Sequence, residues 1–250
     1  MQWIKQQGPA YSGQKSDETL VAATAKLGLA LEMPELGQAG AADQARAALR
    51  QQLNASGQFV DRSSQGDFST PTGQSLAILL FHRAADWAVV EQAASFLASS
   101  QCADGGFPVS FAATADCTGD PDSTAFALFA LFVGENDSRN QGFDKADQLG
   151  QARAQAAQFM LQGQDPNGLW AAAYGPSVNT TAMAASALTV QPELDPEVWL
   201  KAVTALADIQ NDDGGLPVGQ DGASDLRATA QAALFLADGT LLDIAASSAN

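Results

Sequence analysis

A short sequence pattern recurs along this chain and constrains its fold more than any other feature. The pattern reads Gln-x-x-x-Gly-x followed by a large apolar residue, and its copies lie about 50 residues apart, a spacing typical of repeat proteins. It is formed by Gln101, Gly105 and Phe107, by Gln164, Gly168 and Trp170, and by Gln210, Gly214 and Leu216. A single repeat of this size cannot bury its own apolar face, so the pattern predicts a stack of similar units that share one core.

Five helix–loop–helix units can be placed on the sequence, within one domain over residues 1–250. In each unit a first helix ends near the Gln/Gly signal, and a second helix follows after a loop and a capping residue. The first unit keeps only residues 1–7 of its first helix, and its second helix runs from about Asp17 to Leu31. The predicted units span about 1–33, 43–85, 86–134, 147–190 and 195–238.

The second helix of each unit begins with a side chain that can accept a hydrogen bond from the free amides of the first turn. These capping residues are Asp17, Thr70, Asp122, Asn179 and Asp225. The second helices are rich in alanine, which suits helices buried on several faces, whereas the first helices carry one apolar face. We therefore expect an all-α α/α toroid, with an inner ring of second helices inside an outer ring of first helices. Whether the ring closes completely is left open.

The charge balance excludes several partners. The chain has 12 basic and 28 acidic residues and a net charge of −16, whereas nucleic acids and anionic membranes bind clusters of Lys and Arg. No apolar run approaches the ~18 residues that a membrane span needs. We expect the partner to be a small molecule or a protein, of unknown identity, and we expect no cofactor.

Two connections are longer than the others. The loop of the third unit contains Cys102 and Cys117, 15 residues apart, and a disulfide between them would close a short loop. Two buried free thiols are the alternative. A disulfide implies a secreted or cell-surface protein, although residues 1–4 read as the end of an amphipathic helix, so any targeting segment is expected to be absent. The second long connection, 134–145, is polar and is expected to be a solvated loop.

An aromatic–aliphatic pair precedes two copies of the repeated pattern at the same distance. These pairs are Phe96–Leu97 before Gln101 and Phe159–Met160 before Gln164. With this addition the pattern resembles the QW-type repeat of squalene–hopene and oxidosqualene cyclases, and residues 101–107 resemble the repeat of protein prenyltransferase β subunits. The resemblance covers nearly the whole chain but is degenerate in the first two units. It implies an α/α toroid, the fold shared by terpenoid cyclases, prenyltransferase β subunits, complement thioester domains and cobalamin carriers.

Two of these families need a chemical signature that is missing from the sequence. A prenyltransferase of this type would bind zinc through Asp, Cys and His, but His82 is the only histidine and no Asp-x-Cys neighbours it. A thioester domain would carry Cys-Gly-Glu-Gln, and neither cysteine fits this pattern. We therefore expect no metal site and no thioester, and we expect His82 to be a packing or surface residue.

A third signature is partly present. Residues 120–125 read Asp-Pro-Asp-Ser-Thr-Ala, which is similar to the Asp-x-Asp-Asp-Thr-Ala and Asp-Cys-Thr-Ala motifs of class II terpene cyclases. The resemblance implies Asp122 as a proton donor, with Asp120 as the neighbouring carboxylate that keeps it protonated. The alternative is that Asp122 only caps its helix, as the residues in the same frame of the other units do. Ser123 replaces the second Asp of the motif, and aromatic residues make up only 7% of the chain.

The mouth of the toroid is expected where the inner helices begin, because several helix N-termini meet there. The loop over 174–181 adds hydroxyl and amide groups to this end. The residues expected to contact a ligand at the mouth are Asp17, Asp122, Tyr174, Asn179, Thr180 and Asp225.

Three functions are compatible with these residues. The leading one is a secreted, non-catalytic binding or surface-interaction module whose ligand is unknown. The second is a class II terpene cyclase-like enzyme that uses Asp122. The third is a carbohydrate-active toroid in which adjacent carboxylates, Asp120 and Asp122 or Asp212 and Asp213, act as acid and base. A deep aromatic cavity would favour the cyclase, a long groove with opposed acids the third function, and a small or filled mouth the binding module.

Overall fold

A computed structural model describes residues 11–12, 18–33, 39–112, 117–173, 175–237 and 239–242 of the chain. In this part of the chain nine helices follow one another, with one two-stranded antiparallel hairpin between the sixth and the seventh. The helices are α1 Val21–Leu31, α2 Ala39–Arg50, α3 Pro71–Arg83, α4 Trp87–Ser99, α5 Pro121–Gln141, α6 Ala146–Gly163, α7 Val178–Leu188, α8 Pro196–Asp208 and α9 Leu226–Leu236. The strands are β1 Ala171–Ala172 and β2 Gly175–Pro176.

The helices form two layers, as the alternation of alanine-rich and amphipathic segments predicts. The inner helices α1, α3, α5, α7 and α9 pack one against the next in chain order. The outer helices cover them, with α2 against α1, α4 between α3 and α5, α6 against α5, and α8 against α7. This arrangement is that of an all-α α/α toroid. The division of the chain into five units within one domain stays a prediction.

Burial separates the two layers as expected. Every residue of α7 except Asn179 is buried, whereas the outer helix α8 buries only Ala202, Ala205 and Leu206. Small side chains let the inner helices approach closely, since a Cβ on Gly73 of α3 would lie 3.2 Å from the Cβ of Ala22 on α1. Within the described ranges, no helix is both long enough and apolar enough to cross a membrane.

The recurring glutamine joins its own loop to the next outer helix. Gln101 Nε2 donates to the carbonyl of Gly105 in its loop and to the carbonyl of Ala152 on α6, both at 2.8 Å. Gln164 makes the same two bonds, to Gly168 and to Val198 on α8, at 3.2 and 2.9 Å. The repeated sequence pattern is therefore a repeated contact between consecutive units.

A second recurring bond joins each loop to the start of the inner helix that follows. The hydroxyl of Thr124, in the first turn of α5, accepts a hydrogen bond from the Phe107 amide at 2.9 Å. The equivalent pairs are Thr181 with Trp170, Thr229 with Leu216, and Gln74 with Phe59, at 2.9–3.0 Å. These buried amides lie outside regular helix, so the side chain supplies the partner that they require.

The prediction of a solvated loop over 134–145 is wrong for most of that segment. Helix α5 continues to Gln141 and ends only at Gly142, which has a left-handed conformation with φ of 71°. Glu135 is buried within this extension and accepts a hydrogen bond from Arg153 of α6 at 2.7 Å. A polar residue can lie inside the fold when a partner satisfies it, and this partner comes from another helix that the local sequence does not reveal.

The first inner helix also begins later than predicted. Helix α1 starts at Val21 rather than at Asp17, and its capping position is Leu20, which makes no side-chain cap. The Val21 amide donates instead to Asp61 Oδ1 at 2.7 Å. The cap is thus supplied by a loop of the next unit. Asp17 itself and the predicted helix over 1–7 lie outside the described residues.

Two glycines with the same backbone geometry allow a direct test of the contact between units. Gly168 and Gly214 have φ of 94° and 81°, so alanine is strained at either position. A Cβ on Gly168 would lie 2.4 Å from the carbonyl oxygen of Lys201, whereas no described atom lies within 4 Å of a Cβ on Gly214. We expect Gly214→Ala to lower the free energy of unfolding by about 1–2 kcal/mol, and Gly168→Ala to lower it by clearly more. Urea denaturation of both variants measures the difference, and equal losses would contradict the proposed contact.

Candidate functional site

The inner helices α3, α5, α7 and α9 each begin at a side chain that caps the first turn. The capping residues are Thr70, Asp120, Ser177 and Asp225, each with a side-chain oxygen 2.8–3.3 Å from a first-turn amide. The predicted caps Thr70 and Asp225 are therefore confirmed. Because capping residues and helix N-termini gather at this end, it corresponds to the predicted mouth of the toroid.

The predicted caps Asp122 and Asn179 are wrong by two positions. Asp120 caps α5, and Pro121 occupies the first helical position, where the missing amide of proline costs nothing. Ser177 caps α7 in the same way. Asp122 and Asn179 are consequently the second residues of their helices, and their side chains are not used for capping. The structure therefore contradicts the interpretation that Asp122 only caps its helix.

Asp122 lies in an environment that favours its protonated form. Burial raises the pKa of Asp122 above its ordinary value, and the negative charge of Asp120 raises it further. The Thr180 hydroxyl on α7 is close enough to lower this pKa in turn. However, Thr180 Oγ1 makes no hydrogen bond of standard geometry within the described residues, although its side chain is almost fully buried. The structure thus brings two of the predicted site residues, Asp122 and Thr180, together.

A central cavity of about 440 Å³ is lined by described residues of all five inner helices. Its walls are mainly aliphatic, and Phe126 is the one aromatic side chain among the described residues that line it. The lining residues are Lys26, Leu29, Ala30, Met33, Leu76, Leu79, Arg83, Phe126, Met183, Arg227, Ala230, Gln231, Leu234 and Leu241. Helices α1 and α9 do not pack against each other as neighbouring inner helices do, and both line the cavity.

Asp122 and the cavity lie at successive levels along the inner helices. Asp122 precedes the cavity-lining Phe126 by four residues on α5, and Asn179 precedes the cavity-lining Met183 by four residues on α7. Residues four apart share a helix face. Asp122 and Asn179 therefore lie on the faces that line the cavity, one turn nearer the mouth, while none of the described residues that line the cavity is acidic.

Positive charge is concentrated at the rim of this apolar cavity. Lys26 on α1 and Arg227 on α9 are both exposed, but partial burial lowers the pKa of Lys26 and the positive charge of Arg227 lowers it further. Arg83 of α3 lines the same cavity, and its Nε is 2.9 Å from Glu32 Oε2. Two cations from the first and the last inner helix therefore face the same space, in a chain whose net charge is −16.

The predicted ligand residues have different outcomes. Asp225 is occupied as the cap of α9, with its Oδ1 2.8 Å from the Ala228 amide. Asp17 and Tyr174 lie outside the described residues. The sequence reasoning missed Lys26 and Arg227, whose only sequence signal is a basic residue within an otherwise alanine-rich helix. Both residues reach the same cavity because α1 and α9 both line it, which the local sequence pattern does not show.

One member of each carboxylate pair considered for a carbohydrate-active enzyme is used in a cap or a turn, because Asp120 caps α5 and Asp213 accepts hydrogen bonds within its loop. Asp213 Oδ1 accepts hydrogen bonds from the Ser224 hydroxyl at 2.6 Å and from the Gly215 amide at 2.9 Å. These bonds, that from Ser224 first, lower the pKa of Asp213 and favour its ionised form, which is unsuited to a proton donor. A separate polar cavity of about 400 Å³, lined partly by serines, contains Asp67 as its one acidic side chain among the described residues.

The loop of the third unit is cross-linked as predicted. Cys102 and Cys117 form a disulfide with their Cα atoms 5.2 Å apart. Asp104 Oδ2 accepts a hydrogen bond from the Gly119 amide at 2.9 Å and so joins the two ends of the same loop. His82, expected to be a packing or surface residue, is partly exposed, and its Nδ1 is 2.7 Å from Asp137 Oδ2. Among the described residues, no three His, Cys, Asp or Glu side chains are close enough to hold a metal ion.

The sequence matches no family model and no curated protein at a significant level. Its fold is similar to solved structures that share little sequence with it. A protein from Actinoplanes has a TM-score of 0.55 and 15% identity, over 92% of this chain and 76% of that one. A polysaccharide lyase has a TM-score of 0.61 and 14% identity over 92% and 73%. A type II terpene cyclase from Scytonema, in complex with geranylgeranyl dihydroxybenzoate, has a TM-score of 0.54 and 16% identity over 90% and 73%. These likenesses show the toroid fold.

The disulfide is expected to contribute to stability by restricting the unfolded chain. Closure of a loop of 15 residues corresponds to about 3 kcal/mol in the entropic model. We therefore expect Cys102→Ser/Cys117→Ser to lose up to about that amount in urea denaturation. Intact mass after alkylation provides the control, because the unreduced protein should take up no label and the reduced protein two. Two labelled thiols in the unreduced protein would refute the cross-link.

Burial of Asp122 predicts an unusual dependence of stability on pH. A raised pKa means that the folded state binds the proton more tightly than the unfolded state. The stability of the unaltered chain should then fall as the pH rises from the ordinary Asp value of about 3.9 through the raised value. We expect Asp122→Asn to be the more stable chain at pH 7, with an advantage that disappears on acidification below about 3.9.

Asp120→Ala is the matched control for this experiment. It removes the cap of α5 and should cost about 1 kcal/mol. Melting temperatures of both variants between acid and neutral pH separate the two roles. A loss of stability in Asp122→Asn at pH 7 would contradict the inferred cost of burying this charge.

Proposed function

We propose that this chain is a secreted, non-catalytic binding module that holds a small, largely apolar ligand in its central cavity. The observation that carries this proposal is the cavity itself, because side chains from all five inner helices form one mainly aliphatic wall. A volume of about 440 Å³ falls within the range of about 300–1,000 Å³ typical of small-molecule sites. Apolar lining with a few polar groups at the rim is also typical of such sites.

Binding is favoured over catalysis by what lines the cavity. A cyclase must stabilise carbocations, for which aromatic faces are suited, and Phe126 alone among the described lining residues is aromatic. None of these residues is a carboxylate that could donate a proton. The described lining therefore offers shape and apolar contact, together with Lys26, whose pKa is lowered by burial.

Secretion is supported by the cross-linked loop. Disulfides persist in oxidising compartments and are rare in the cytosol, and the Cys102–Cys117 bridge is formed in the structure. The excess of acidic residues fits a well-solvated surface.

A cyclase-like activity that uses Asp122 is the second candidate, and one observation favours it. Asp122 lies one turn from Phe126 on the same helix face, and burial raises its pKa, as a proton donor to an alkene requires. The proton would have to be delivered across the turn that separates Asp122 from the cavity. Turnover of a polyprene by the unaltered chain and its loss in Asp122→Asn would favour this candidate over simple binding.

Occupation of the cavity can be tested with a neutral apolar fluorophore. We expect phenylnaphthylamine to become bright on binding to the folded chain, because the cavity excludes water from its rings. Ala230 lines the cavity but is exposed, so Ala230→Phe should block part of the space without disturbing the core. We expect this variant to bind the fluorophore at least about tenfold more weakly, because it replaces ligand contacts with its own side chain.

Ala233→Phe is the matched control. Ala233 is also exposed on α9 but does not line the cavity, so its variant should bind the fluorophore as the unaltered chain does. Fluorescence titration measures both affinities. Equal weakening in the two variants, or no binding by the unaltered chain, would argue against the cavity as a ligand site.

A further inference from the structure

We propose that the ligand is a single-chain amphiphile with an acidic head group, whose aliphatic tail occupies the cavity and whose head group lies between Lys26 and Arg227. This inference rests on the proposed function and adds the chemical class of the ligand. It follows from the juxtaposition of an aliphatic cavity with two cations that come from opposite ends of the inner helical layer.

Lys26 and Arg227 are the basic side chains at the cavity that have no ion pair among the described residues, whereas Arg83 is paired with Glu32. Four arginines away from the cavity are paired with carboxylates, namely Arg46, Arg50, Arg139 and Arg153. Within the described residues, neither Lys26 nor Arg227 forms an ion pair, although acidic residues outnumber basic ones more than two to one in the whole chain. Two like charges close together repel each other, and an anion between them removes that repulsion.

The cavity walls explain why the anion should carry an aliphatic tail. Leu76 and Leu79 of α3, Leu29 of α1 and Leu234 of α9 contribute to the apolar lining, and Met183 adds an adaptable side chain. A bare inorganic anion would leave these walls uncovered, and an uncharged hydrocarbon would leave the two cations unpaired. A molecule that combines both parts satisfies both.

The position of Arg83 indicates which side of the cavity receives the head group. Arg83 lines the cavity but is already paired with Glu32, so its charge is largely offset. The positive charge without an ion-pair partner among the described residues lies with Lys26 of α1 and Arg227 of α9, which both line the cavity. The net charge of −16 repels anions at long range, so the local pair must supply the attraction, and binding should weaken as salt screens it.

The experiment compares two probes of equal chain length, decanoate and decanol, by their displacement of phenylnaphthylamine from the full chain. We expect decanoate to bind about tenfold more tightly than decanol, the difference that a charge-assisted hydrogen bond typically makes. Lys26→Met and Arg227→Met should each remove most of this preference. The control Lys201→Met removes an exposed cation on α8 that is paired with Glu197 and should leave the preference unchanged.

The outcomes separate this inference from the proposed function. Equal affinity for decanoate and decanol, with fluorophore binding intact, would overturn the acidic head group and retain the apolar site. Failure of the unaltered chain to bind any of the three probes would overturn both.

A second experiment mixes the protein with sedimenting anionic vesicles. Pelleting that depends on Lys26 and Arg227, without displacement by free decanoate, would show that the cations contact a membrane surface instead and would overturn the proposal.

Discussion

The close approach of each glycine loop to the outer helix of the next unit determines most of this structure. Cβ positions on Gly57, Gly105 and Gly168 would lie 2.3–2.7 Å from a carbonyl oxygen of the following outer helix, so only glycine allows the contact. The glutamine amide then bonds both partners, and the side chain four residues after the cap fixes the loop to the next inner helix. Each unit thereby sets the position of its neighbour, and the inner helices acquire a common start.

Because the inner helices begin at a common end, equivalent turns of different inner helices lie at the same level of the toroid. Residues of the first turn gather at the mouth, and residues near the middle of the helices gather around the cavity. Close packing is possible where the facing residues are small, as with Gly73 against Ala22. The cavity is lined by larger side chains such as Phe126 and Met183, together with leucines of the other inner helices. The inner helices therefore include both a closely packed region and an open one.

The fold was predictable from sequence because its contacts recur between consecutive units and leave a repeated pattern. The disulfide was predictable because both cysteines fall in one loop. Other features depend on contacts that do not follow this pattern. In the second unit the usual glutamine is replaced by Gln74 of the inner helix, which bonds the carbonyls of both Gly57 and Ala93 and so makes the same contact from the opposite side. The true caps Asp120 and Ser177 were missed because a neighbouring residue of equal capping ability follows two positions later. The placement of Lys26 and Arg227 at one cavity was not predictable, because no local sequence pattern indicates it.

Similar scaffolds serve a polysaccharide lyase and a terpene cyclase, so function must be sought in the side chains placed on the toroid. Here two locally unfavourable arrangements lie on the inner helices. A half-buried carboxyl group lies near the mouth, and two exposed cations without ion-pair partners among the described residues stand beside an apolar space. Departures from local stability rules are typical of functional sites.

Asp122 can avoid the cost of a partly buried negative charge by binding a proton, without any ligand. Lys26 and Arg227 are exposed to solvent, and an anion bound between them would offset their mutual repulsion. The cavity rim, rather than the mouth, is therefore where ligand binding gains most.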